Sequence, residues 1–183
     1  MDTSSQPRNS ILIISALAAI FLQLVVAPVI TIFGVVPNFV LVVVIITAMN
    51  NTPVRSTIMG FSLGLAFDFC SLGPFGAMAL VMTILGYAVS SLSKSVLSGG
   101  LMVEAIILPG AIILGEFLVS VIYAVVGVNP EFLFSLVQRV LPAIAYDAVI
   151  GFIILILYNY IGGGNSSRSN RSTGRPLNRK LHM

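Results

Sequence analysis

The sequence predicts an all-α integral membrane protein with six transmembrane helices, and three observations carry that reading. Of 183 residues, 57% are hydrophobic and only 8% charged, against roughly 25% charged in an ordinary soluble domain. The mean hydropathy of +1.07 leaves too little polar surface to cover a water-soluble globule, so the surplus apolar side chains must face lipid or very large partner surfaces. The apolar chain is also broken into segments whose basic connections all fall on one side.

The first and second spans come from one charge-free run, Ile11 to Met49. As a single helix it would reach about 58 Å, nearly twice the roughly 30 Å hydrocarbon core, so it must turn back. Pro28 and Gly34-Val35-Val36-Pro37-Asn38 supply the breaks, because proline removes a backbone donor and disfavours helix at the preceding residue. The first helix is expected over Ile11 to Ala27 and a short second helix over Pro37 to Met49. Residues Pro28 to Val36 then form an irregular re-entrant piece, tolerable at membrane depth only if protein or water covers its backbone.

After the polar break Asn50-Asn51-Thr52-Pro53-Val54-Arg55, a third span runs from Ser56 to Cys70, and Ser71-Leu72-Gly73-Pro74 makes a tight turn. The fourth span is Phe75 to Leu92, ending at Ser93-Lys94-Ser95. The fifth, Gly100 to Val126, carries Glu104, Pro109 and Glu116. Gly127-Val128-Asn129-Pro130-Glu131 turns into the sixth, Phe132 to Ile161, which holds Arg139, Pro142 and Asp147. Three segments result: an N-terminus of residues 1–10, a six-helix domain of 11–161, and a tail of 162–183 whose Gly/Ser/Asn/Arg composition reads as disordered.

Arg8, Arg55, Lys94 and the five basic residues of the tail fall on one side of these spans, while the alternate connections contain no Lys or Arg. The positive-inside rule therefore places both termini in the cytoplasm of a multi-pass protein. The apolar run continues past any cleavage point of a signal peptide, and no clear Ala-x-Ala site is present.

Asp68, Glu116, Arg139 and Asp147 lie inside predicted spans, where a charge at the bilayer centre costs about 2.5 to 3.5 kcal/mol on the insertion scale. Asp68, Glu116 and Arg139 fall at overlapping depths in the outer half, so Arg139 is expected to pair with Asp68, Glu116 or both. Glu104 lies near the cytoplasmic boundary, within reach of the headgroups. Gly60-Phe61-Ser62-Leu63-Gly64 is a GxxxG, which lets a second helix approach closely, either within the protein or in a homodimer. The single Cys70 excludes an intramolecular disulfide. The only histidine, His182, lies in the tail, so a histidine zinc site, a Ser/His/Asp triad and a Cys/His pair within the apolar body each lack a part. No cofactor, metal or nucleic-acid partner is expected, and an intramembrane enzyme is disfavoured.

Gln23, Pro28, Gly34 and Pro37-Asn38-Phe39, then Gly60, Gly64-Leu65 and Asp68, then Gly73, Gly76 and Gly86-Tyr87, together resemble the bacterial rod shape-determining MreD family over about residues 10–160. The most specific stretch is Gly60 to Asp68 followed by Gly73-Pro74-Phe75-Gly76. Where the family often has Pro-Asp at the start of the second span, this chain has Pro37-Asn38. The resemblance implies a non-enzymatic scaffold of the cell-wall elongation machinery in the bacterial plasma membrane. It would bind MreC and, through the larger assembly, meet the MreB filament, RodA and a class B penicillin-binding protein. The family fold also looks like the six-helix substrate-binding subunits of energy-coupling-factor transporters, which leaves a vitamin-type binding subunit as the second reading.

Topology reporters fused at Asn51, Pro74, Ser95, Asn129 and Ser167 should read in, out, in, out, in. A cytoplasmic signal at Asn129 would sink the six-span arrangement.

Overall fold

The computed structural model describes residues 6–31, 34–71, 73–95, 100–127 and 140–162. Among them are six α-helices and no strand: α1 (Gln6–Phe21), α2 (Phe39–Met49), α3 (Pro53–Cys70), α4 (Ala77–Ser95), α5 (Gly100–Val125) and α6 (Leu141–Gly162). A π-helical turn, Leu22–Val26, extends α1. Three stretches are long and apolar enough to cross a membrane: Ala77–Ser95, Val103–Val125 and Leu141–Tyr158. Leu12–Val26 and Phe39–Met49 are apolar but shorter.

The centre of the molecule is α2. All eleven of its residues are buried, and it packs against each of the other five helices. A helix that is apolar all round is stable only when it is enclosed all round, and Val40 to Ile46 supply such a surface. With eleven residues α2 is only about 16 Å long, half the hydrocarbon thickness. Both of its ends therefore need polar partners from the protein. At one end Asn51 Nδ2 donates to Thr47 O at 2.7 Å and Ser90 Oγ donates to Asn51 O at 2.6 Å.

The most extensive helix pair is the antiparallel hairpin of α3 and α4. Its seam is lined by glycines from both helices. A Cβ on Gly60 would collide with the backbone carbonyl of Met82, one on Gly64 would stand 2.6 Å from Ala79 Cα, and one on Gly86 would stand 2.5 Å from Ser56 O. The GxxxG thus serves contact within the chain, where close backbones gain dispersion energy that lipid cannot supply to separated helices.

The helix boundaries depart from the sequence reading where local chemistry overrides hydropathy. The first span is not one α-helix to Ala27, because its last turn is π-helical. Rather than starting at Pro37, α2 is capped by Asn38. Three residues earlier than expected, α3 begins at Pro53, whose fixed φ and missing N–H suit the first helical position. At the start of α4 the expected Phe75 gives way to Ala77, because Gly76 takes φ +90°, a conformation open to glycine but strained for other residues. The fifth span ends one residue short of Val126. The expected first turns of the sixth, residues 132–139, lie outside the described residues.

Gly60→Val should lower the midpoint of thermal unfolding in detergent by the equivalent of about 1–3 kcal/mol or more, since the obstructing atoms are backbone. Gly110, on an open part of α5 with nothing within 4 Å of an added Cβ, should behave oppositely. Gly110→Ala is expected to raise the midpoint by about 0.4–1 kcal/mol through reduced unfolded-state entropy.

Candidate functional site

Where α1 passes into α2, irregular backbone is held by polar side chains from distant parts of the chain. In the π turn the extra residue per turn widens the helix, and such turns concentrate at functional positions. Gln23 lies on it and donates from Nε2 to Pro37 O at 3.2 Å. Its Oε1 is buried with no partner among the described residues. Thr31 Oγ1 donates back to Ala27 O and Pro28 O, at 3.2 and 3.0 Å, and Gly34 takes φ +77°.

Asn38 closes the end of α2. Its Oδ1 accepts from Leu41 N at 3.0 Å, as an N-cap does, while its own N–H donates to Asp147 Oδ1 at 2.8 Å. Asp147 reaches from α6 and is 1% exposed, and its carboxylate faces the positive end of the α2 dipole. Tyr146, its neighbour, donates from its hydroxyl to Ile30 O at 2.6 Å. Two side chains of α6 and one of the π turn thus cover carbonyls and an N–H of the irregular linker, as such backbone requires away from water. This geometry accounts for Pro37-Asn38 in place of Pro-Asp: asparagine caps as well as aspartate and adds no second carboxylate beside Asp147.

Asp68 has a comparable task one turn from the end of α3. Its Oδ2 accepts from Gly76 N and Ala79 N, each at 3.0 Å, and its Oδ1 accepts from Met78 N at 3.1 Å. Ala77 N donates to Pro74 O. A single buried carboxylate therefore satisfies two of the first N–H groups of α4 and that of Gly76 just before it, with its charge at the favourable end of the dipole. Gly73 lies against the hydroxyl of Tyr123 on α5, which a side chain at this position would have to displace.

Two cavities flank Gln23. One, of about 240 Å³, is a mostly apolar groove lined by Ile20, Leu24, Pro28, Val40, Ala66 and Cys70, together with Gln23 and Phe67. The other, of about 190 Å³, is more polar, with Asn38, Glu116, Ser120, Tyr123 and Ala143 around it and the same Gln23 and Phe67 in its wall.

Of the residues singled out from sequence, the structure brings Gln23, Pro37, Asn38, Glu116 and Asp147 into one region. It places Asp68, Gly73 and Gly76 together in the α3–α4 turn, Pro28 at the groove, and Gly60 and Gly64 in the hairpin seam. Glu104 sits half-buried near the start of α5, and Cys70 is exposed. Arg139 lies outside the described residues, and with it the pairing expected for Asp68 or Glu116. The link between Asn38 and Asp147 was not foreseen; the asparagine after a proline and before an apolar run was the available signal for the cap. Among the described residues, no three His, Cys, Asp or Glu side chains group to hold a metal.

These features define an all-helical membrane protein whose buried polar groups are spent largely on holding its own helices. The chain belongs to the MreD family: the family model described as rod shape-determining protein MreD matches residues 5–161. It is accordingly a shape-determining membrane protein rather than a member of a known enzyme family. No curated protein and no solved structure matches the chain, so the likeness to energy-coupling-factor subunits gains no support from comparison.

Asp68→Asn should destabilise the protein by at least about 2 kcal/mol, because an amide replaces one charged acceptor with a donor facing N–H groups. Thermal unfolding in detergent reads it. A midpoint within a degree of the parent would remove the capping role.

Proposed function

We propose that the chain is a non-catalytic component of the machinery that elongates the bacterial cell wall, seated in the plasma membrane and binding MreC there. Through that complex it meets the MreB filament, RodA and a class B penicillin-binding protein. The observation that carries the reading is the family match across residues 5–161, nearly the whole apolar body. In this reading residues 11–161 make six spans, and residues 1–10 and the basic tail of 162–183 lie in the cytoplasm.

The described surface supports a role in binding other membrane proteins. Ile13, Ile14 and Leu17 on α1, Ile106 on α5, and Ile153 and Ile156 on α6 are all more than half exposed. In the bilayer these side chains face lipid or the transmembrane helix of a partner, and the glycine-tight interior behind them holds that surface in one shape.

Depletion of the protein in a rod-shaped bacterium should round the cells, and MreC should co-purify with it from membranes. Unchanged cell shape, or purification of a tightly held vitamin-like compound without MreC, would count against the scaffold and for a transport subunit.

A further inference from the structure

The groove and the polar cavity beside it share two walls, Gln23 and Phe67, and differ in what they offer. The groove is apolar and opens at Leu24, Pro28 and Cys70, all exposed, among other exposed apolar side chains such as Phe21, Val25 and Phe69. Its mouth therefore faces the same medium as the lipid-facing helices. The second cavity is bounded by irregular backbone from Val35 to Asn38 and by Glu116, Ser120 and Tyr123, and no Lys or Arg lines it among the described residues. At the boundary stands Gln23 Oε1, a buried acceptor with no partner among the described residues. A buried acceptor left unmatched is costly, and a donor brought by a ligand recovers that loss.

We propose that the two cavities form one binding site for a bilayer phospholipid whose headgroup carries an ammonium, with an acyl chain in the groove and the ammonium turned toward Gln23 Oε1. An apolar slot open to lipid suits a chain. The unmatched Oε1 of Gln23, at the edge of the adjoining cavity, suits a charged N–H donor better than the neutral hydroxyls of a headgroup without an amine. The π turn is what sets the amide of Gln23 at the junction. The site is independent of any protein partner, so its failure would leave the scaffold reading intact.

The test uses the full chain in detergent, with phosphatidylethanolamine and phosphatidylglycerol supplied in equal amounts and retained lipid read by native mass spectrometry. Phosphatidylethanolamine should be retained about tenfold over phosphatidylglycerol, the factor that one charge-assisted hydrogen bond gives. Gln23→Leu should abolish the preference while keeping binding, and Ala66→Phe, which fills the groove, should reduce retention of both. Because a groove-filling variant can fail to fold, the unaltered protein supplies a second readout. Cys70 lines the groove and is the chain's only thiol, so its alkylation by a maleimide should be slower in phosphatidylethanolamine nanodiscs than in phosphatidylglycerol ones. Equal retention of the two lipids, a preference for phosphatidylglycerol, or a Cys70 rate indifferent to headgroup would overturn the proposal.

Discussion

The requirement that organises this molecule is satisfaction of the backbone at the ends of a short helix sealed inside a bundle. Buried on every side, α2 leaves its terminal N–H and C=O groups no access to bulk water, and unmatched groups in such surroundings are costly. Side chains from distant parts of the chain supply the partners. Asn38 and Asp147 close one end, Asn51 and Ser90 hold the turn at the other, and Gln23 binds the carbonyl of Pro37 just before the cap. The placement of α1, α4 and α6 around α2 follows from where those side chains must arrive.

The α3–α4 hairpin solves the same problem by different chemistry. Glycines bring the two backbones into contact, and Asp68 uses both oxygens on the next helix's first turn. Close packing removes a void that lipid cannot fill, and the carboxylate removes the orphan donors that a sharp turn creates. Two buried acids, Asp68 and Asp147, thus serve helix ends, and helix dipoles favour their charge. A buried ionisable residue in an apolar chain invites a functional reading; in these two the hydrogen bonds go to the chain's own helix ends.

Much of the fold was legible because its causes are local. Proline, glycine and the charge-free runs divide the chain into helices close to those observed, and Gly60-x-x-x-Gly64 announced a close helix approach. What escaped was set by partners remote in sequence. Asn38 and Asp147 stand 109 positions apart, and nothing in either neighbourhood names the other. The π turn at Leu22–Val26 was hidden because its residues are as apolar as an α-helix requires. Asp68 was legible as an acid in an apolar stretch but not as a cap, since its donors follow eight to eleven residues later across a turn whose geometry depends on Gly76.

The distance between Asn38 and Asp147 also orders the protein's birth. A ribosome releases Asn38 long before the codon for Asp147 is read, so for most of synthesis the first turn of α2 has only the side chain of Asn38 to close it. The early helices therefore reach the membrane as an unfinished group, and the arrival of α6 completes the end of α2 and ties down Ile30 through Tyr146. A chain stopped before α6 would leave its most apolar helix open at one end, with the N–H of Asn38 and the carbonyl of Ile30 both without the side chains that match them in the finished protein.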